Sequence, residues 1–576
     1  MKGYLAKFKT HLIIAPIFKF IETILELLNP VLMARVIDIG IKNSDKAFIF
    51  KYAIIILVCN IVGFAVALVC QKCSSIASTG IARSMRKDMY ENINNFSHNE
   101  IDSFGTTSLI NRLTNDVSDV EALISVIIRT IARVPFLLIG SLILAITINA
   151  KLALVFCVVL PIIIMVLVWF TKTTMPYFKI IREKLDIISK ITRENLNGVR
   201  VIRAFNHQEE EKKRFGIANK DHIDTTIKVT KITSLLKPFI FLIVDFAIIA
   251  VLYLGGVQIN AGNLTQGELI AFCNYLTTIS ASLISLSHIY MRIVDSTAGY
   301  HRIQEVLNTK SSIEFKNDKD IQIYRYKNKP ILEFKNVGFS YDIKEQDKHR
   351  MFLKNISFKV MPNSTLGIIG PTGSGKTTLI NLMLRFYDCN TGEILFYGKN
   401  IKEYSQEQLR HLISVTQQRS DLFAGSLRDN LNLRNKEASD RELIKALKTA
   451  QAWEFVENWP NKLDYKLMAG GKNVSGGQKQ RLTIARSLVG KPELLILDDS
   501  ASALDFMTDY KLRKALKKDM KCTTVLVSQR ATTIKNCDLI IVMEHGDIIG
   551  MGKHASLIKN CDLYRETYQS QTQRDS

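Results

Sequence analysis

Proline is scarce, at 11 in 576 residues, and the apolar fraction is high, at 47%. Together these exclude a disordered or collagen-like chain. Cysteine is also sparse: 9 residues, scattered and odd in number, give no disulfide framework. Cys70 and Cys73 form a close pair, but no second pair completes a zinc site. No small-residue cleavage site follows a short apolar stretch near the N-terminus, so no cleavable signal peptide is expected. Acidic residues are outnumbered, 54 against 76 Lys and Arg, for a formal charge of +22. That excess suits nucleic acid, anionic lipid or cytoplasmic loops, and its position in the chain must decide.

Long apolar runs occupy the first half. Residues 152–171 read LALVFCVVLPIIIMVLVWFT, without a charge. That is enough to cross the hydrocarbon core as a helix. Further spans are expected at 52–70, 134–148 (extended back to 124 past Arg129 and Arg133), 238–257 with Asp245, and 269–294 with His288 and Arg292. Residues 12–28 are weaker, with Lys19, Glu22 and Glu26 inside, and are read as the first of six spans. Glu22, Glu26, Asp245 and His288 then either face a translocation cavity or pair with Lys19, Arg292 and other helices.

Lys and Arg number 19 in the two long loops (71–121 and 172–235) and 5 in the other connections. The long loops and both termini are therefore expected in the cytoplasm. No aromatic or motif signal accompanies these basic residues, so they read as solvated helix faces near anionic lipid, with no nucleic acid. After 313 the chain changes character. Residues 311–329 are a polar linker, and from 330 short β-rich runs alternate with helical stretches, which argues an α/β domain. The expected division is a membrane domain at 1–310, the linker, and a soluble domain at 330–576.

Residues 370–377, GPTGSGKT, follow the strand pattern TLGII and precede a helical pattern. In that context GxxxxGK[ST] is a phosphate-binding loop. Gly370, Gly373 and Gly375 let backbone N–H groups close around phosphates, with Thr372 and Ser374 between them. Lys376 reaches the β- and γ-phosphates, Thr377 offers a hydroxyl to Mg²⁺, and Thr378 follows in the helix. The apolar strand 494–497 ends in Asp498, a second carboxylate for Mg²⁺. Ser475, Gly476, Gly477 and Gln478 open a helix some twenty residues earlier.

These elements together resemble the nucleotide-binding domain of an ATP-binding cassette (ABC) transporter. The six-span half before it resembles an exporter-type half-transporter, over essentially the whole chain. The fold implied is a polytopic α-helical membrane domain fused to an α/β P-loop NTPase. The resemblance implies ATP and Mg²⁺ as cofactors, a bilayer, and a small-molecule, peptide or lipid substrate. It also implies a multi-pass protein of a bacterial plasma membrane with the cassette inside. Residue by residue, it makes Tyr341 the adenine-stacking aromatic and Gln418 the glutamine that joins Mg²⁺ to the membrane domain, with Gln417 an alternative. It makes 502–505, ending in Asp505, the loop that crosses to a partner cassette. Segments 105–115 and 205–215 would be the coupling elements.

Two positions depart from the family. The residue after Asp498, usually Glu, is Asp499. The switch position, usually His, is Gln529. A carboxylate shorter by one methylene displaces an attacking water, and about 1 Å of misplacement can cost a hundredfold. Glutamine has no proton that titrates near neutrality. An intact SGGQ beside altered catalytic positions implies a heterodimer, with a second half-transporter supplying the usual Glu and His. A homodimeric active exporter and a membrane-anchored ATP-binding regulatory subunit stay open.

Overall fold

The computed structural model describes residues 2–316, 329–341, 351–500, 504–520 and 522–572. The side chains of Lys2 and of eight residues within 286–295, His288 and Arg292 among them, lie outside that description, as do Ser502 and Ala503 of the expected crossing loop. The chain forms two compact units: Met1–Asn94 with Gly105–Thr309, and Asn95–Phe104 with Lys310–Ser576.

The first unit is helical. Five helices are long and apolar enough to cross a membrane: Lys46–Asn95, Thr106–Ile148, Ala150–Ala204, Gln208–Asn260 and Gln266–Ser285, the last continuing to Asn308. The first expected span lies on Lys9–Arg35, which is helical over 27 residues but falls outside that set. The reason is its three internal charges. All three are paired, along the helix or across the fold: Lys19 donates to Glu22 at 2.7 Å, and Arg133 to both Glu26 oxygens at 2.5 and 2.6 Å. Pairing is what an apolar environment demands of such groups. Asp245 is exposed on its helix. Leu27, Phe156, Ile163, Ile240, Phe272 and Tyr275 belong to one buried cluster, and the Tyr275 hydroxyl donates to the Leu27 carbonyl at 2.8 Å. The Lys9–Arg35 helix therefore shares the core of the apolar ones.

The second unit holds a six-stranded sheet in the order Asp547–Gly552, Leu539–Glu544, Thr365–Ile369, Thr523–Val527, Leu494–Asp498, Ile413–Thr416. All pairs are parallel except that of the Asp547–Gly552 edge. The central strands are buried on both faces, as their continuous Leu, Ile and Val content requires. A second, antiparallel sheet is built from Leu353–Val360, Leu332–Phe339, Thr391–Phe396 and Lys399–Asn400. Helices around Gly476–Leu488 and Asp440–Thr449 enclose a separate core with Leu443, Leu447, Leu482 and Ile484.

Asn95–Phe104 packs with this second unit. The His98 ring stacks on Phe386 at 4.1 Å, and the Tyr387 hydroxyl donates to Asp102 at 2.5 Å. Burial pushes the Glu100 carboxyl up, but hydrogen bonds from Ser97 and Ser312 outweigh it and hold the group below the ordinary range. The segment expected to make such contacts was 105–115. The packed segment ends at Phe104 instead, because Gly105 (φ 74°) breaks the helix there and starts a new one at Thr106. Segment 205–215 covers the turn at 205–207 and the first residues of the helix Gln208–Asn260, in the first unit.

Candidate functional site

Register places the site. In the parallel sheet Val527 lies opposite both Asp498 and Ile368, and Thr416 lies opposite Leu497. The strands therefore end together, and the residues just beyond them (370–377, 498–499, 528–530 and 417–418) share one edge. Ligands in open α/β sheets bind at this carboxyl edge.

The loop after Thr365–Ile369 is shaped by its glycines. A side chain at Gly370 would meet the Met543 carbonyl oxygen at 2.1 Å. Gly375 has φ 98° and caps the helix Lys376–Met383, whose first N–H groups point back at the loop. Ser374 is buried, while Thr372, Gly373 and Thr377 are exposed. Lys376 donates to the carbonyls of Gly370 (2.9 Å) and Pro371 (2.7 Å) and to Ser374 Oγ (3.4 Å). Burial lowers its pKa, against the pull of Asp498 and Asp499. A cradle of N–H groups, one ammonium and an open threonine hydroxyl fits a polyphosphate.

Asp498 is 7% exposed. Burial first, and then the Asp499 charge, push its carboxyl up to about 6, with Lys376 pulling the other way. A buried carboxylate held at such cost is suited to a cation, which restores its charge balance. Asp499 has φ 44° and its N–H donates to the Val527 carbonyl at 2.9 Å. Burial raises its carboxyl as well, opposed by Arg530, Lys376 and a hydrogen bond with Gln418. That bond separates Gln418 from Gln417: only the former engages the acidic pair among the described contacts. Arg530 was not picked out by sequence reasoning. It follows Gln529 in the turn after Thr523–Val527, and a charge beside a candidate switch position was the available signal.

Tyr341 sits at the rim. Its hydroxyl donates to Thr378 Oγ1 at 3.1 Å, and its ring meets Phe339, Phe352 and Tyr387 edge-on. At 38% exposure the ring keeps open surface for a stacking partner. Gln529 is exposed in the turn after Thr523–Val527.

Two expected groups lie on other elements. Ser475 caps the helix Gly476–Leu488, accepting from Gln478 N–H at 3.3 Å while Gln478 Oε1 accepts from Ser475 N–H at 3.0 Å. This is a complete capping box. Gly476 faces open space. Asp505 caps Phe506–Asp519 through Thr508, whose hydrogen bonds hold its carboxyl below the ordinary range. Ser475 and Asp505 are both exposed.

The model of the ABC transporter transmembrane region matches residues 12–283, and the ABC transporter model matches residues 353–502. The chain is 32% identical, over 98% of its length and 96% of the relative's, to the uncharacterized ABC transporter ATP-binding protein YfiB of Bacillus subtilis. It is 31% identical, over 99% and 98%, to a putative ABC transporter ATP-binding protein of Mycoplasma genitalium. Among solved structures, a bacterial Atm1-family ABC exporter with ATP bound shares its fold at a TM-score of 0.78, over 99% of both chains and at 22% identity.

Proposed function

The chain belongs to the ABC transporters, an exporter-type membrane domain fused to an ABC ATPase, and from that premise we propose that it is the catalytically weakened half of a heterodimeric exporter. Its own site binds ATP with Mg²⁺: Lys376 and the N–H groups of 370–377 hold the phosphates, Tyr341 the adenine, and Thr377, Asp498 and Gln418 the cation. The cation's chemistry is to neutralise charge on the transferred phosphoryl group. Asp499 faces the place of the attacking water with a side chain one methylene too short. Gln529 faces the γ-phosphate as a neutral donor. Ser475, Gly476, Gly477, Gln478 and Asp505 serve the second site, on a partner carrying Glu and His. The substrate is small or amphipathic, and the cassette is cytoplasmic under the plasma membrane.

One observation carries this reading. The phosphate loop, Asp498 and Gln418 lie at one sheet edge, while the two positions that would activate water both depart from the family. The bonding closure of two cassettes around nucleotide adds contacts only in the closed state, so binding without fast hydrolysis still drives one half of a cycle.

The test is ATP turnover by the purified chain, alone and as Asp499→Glu/Gln529→His. Negligible wild-type turnover with intact ATP binding, rising at least about tenfold in the double variant, is expected. Ordinary transporter rates from the wild-type chain alone would refute the weakened-site reading.

A further inference from the structure

The switch turn is held from an unexpected direction. Arg530 precedes the short helix Ala531–Ile534 without a side-chain cap, so the first N–H groups of that helix need an acceptor from elsewhere. Gln571 supplies it. Its Oε1 accepts from the Ala531 N–H at 2.8 Å, and its Nε2 donates to the Gln529 carbonyl at 2.9 Å. One primary amide thus closes on both sides of Arg530, as a peptide group of an added strand would, and its partners dictate which end is oxygen.

Gln571 is itself firmly based. It lies on the helix Asp562–Thr572, whose Tyr564 is fully buried. Tyr564 packs in one cluster with Ala531, Ile534, Ile540 and Val542, and its hydroxyl bonds with His554 Nδ1 at 2.8 Å. The other end of the turn is fixed by the sheet: Ser528 N–H donates to the Ile368 carbonyl at 3.1 Å, and Arg530 N–H to Ser528 Oγ at 3.0 Å. Between these anchors, among the described residues, the Gln529 backbone is tethered by the helix Asp562–Thr572. A side chain that must reach a phosphate within a few tenths of an ångström depends on such support.

We propose that Gln571 is a positioning residue that sets the backbone of 529–531 and so aims Gln529 at the terminal phosphate of bound ATP. This rests on the reading of Gln529 as the residue that faces the γ-phosphate. The consequence is that the C-terminal helix tunes how strongly the site prefers ATP to ADP, because Gln529 faces the γ-phosphate, which ADP lacks.

The experiment compares Mg²⁺-ATP and Mg²⁺-ADP dissociation constants for the purified full-length protein. The variants are Gln529→Ala, Gln571→Met and the two combined. Methionine keeps the length of glutamine without its hydrogen bonds. Gln571→Glu, which keeps the acceptor for Ala531 and loses the donor, repeats the measurement should the methionine unfold the last helix. We expect ADP affinity to stay level and the ATP preference to fall roughly three- to tenfold in each single variant, the scale of one neutral hydrogen bond or two. The combined variant should be no worse than Gln529→Ala alone, because Gln571 acts through Gln529. A fall in Gln529→Ala with none in the Gln571 variants, or additive losses in the combined variant, overturns the positioning role alone. An unchanged preference in Gln529→Ala overturns the reading of Gln529 and the proposal with it.

Discussion

Asp498→Asn is expected to stabilise the nucleotide-free cassette while abolishing Mg²⁺-dependent ATP binding. The Asp498 carboxyl is pushed from its ordinary 3.8 up to about 6, chiefly by burial and then by Asp499. The folded chain thus holds this proton more tightly than the unfolded chain does. Ionised Asp498 costs stability: almost nothing well below 3.8, progressively more as pH rises, and its full amount above about 6. At pH 7.5 the full cost is about 3 kcal/mol, taking ~1.36 kcal/mol for each pH unit between the two values. At pH 5, where the folded-state group is mostly protonated, the same linkage gives about 1.6 kcal/mol. Asparagine removes the charge at both pH values, so its advantage should be larger at pH 7.5 by about 1.4 kcal/mol. For a unit of this size that is a difference of roughly 3–6 °C in melting temperature. The assay is thermal unfolding of the purified protein with chelator and without nucleotide, at pH 5 and pH 7.5, for wild type and variant. An equal displacement at both pH values, or a variant less stable than wild type at pH 7.5, would refute the account of Asp498 as an ion buried at a cost that Mg²⁺ offsets.

Three other outcomes are expected. Lys376→Ala should weaken ATP binding at least about tenfold by removing the loop's one ammonium, a charge-assisted contact of ~1.5–3 kcal/mol; a fluorescent ATP analogue reads it. Tyr387→Phe removes the bond to Asp102 and should loosen 95–104 by about 1.5–3 kcal/mol, seen as faster amide hydrogen exchange there; unchanged exchange would leave the Phe386–His98 stack as the main anchor. Arg133→Ala leaves the half-buried Glu26 without its partner and should cost about 1–3 kcal/mol, whereas Arg133→Ala with Glu26→Ala should recover most of it. Melting temperatures of the two variants in detergent decide the point, and equal losses would mean that the pair does not matter as a pair.

Much of the site was legible because its signals are local. The strand 365–369, the glycines, Lys376 and Thr377 form one continuous stretch, and so do 494–499. The cap at Ser475 is likewise readable, since a serine and a glutamine three residues on meet only if a helix starts between them. The apolar runs were legible for the same reason. Lys9–Arg35 was less so, because its charges are offset by partners, and Arg133 of Glu26 lies 107 residues away.

Gln418 against Gln417 is a different case. Neighbours in sequence point differently at a strand's end, and only the hydrogen bond with Asp499 separates them. Arg530 went unnoticed because its charge matters through Asp499, which lies on another strand. Gln571 had no local signature at all: a glutamine near the end of an amphipathic helix is ordinary until Ala531 and Gln529, 40 and 42 residues earlier, are found against it.

The signals for phosphate binding, cation binding and insertion in a bilayer were written in contiguous residues, because each depends on a turn, a cap or a run whose parts are bonded within a few positions. Which of those parts become neighbours was decided by strand order and helix packing. The order that puts Thr523–Val527 between Thr365–Ile369 and Leu494–Asp498 aligns the phosphate loop, Asp498 and the switch turn. It comes from burying apolar faces over long sequence separations, and no short pattern encodes that.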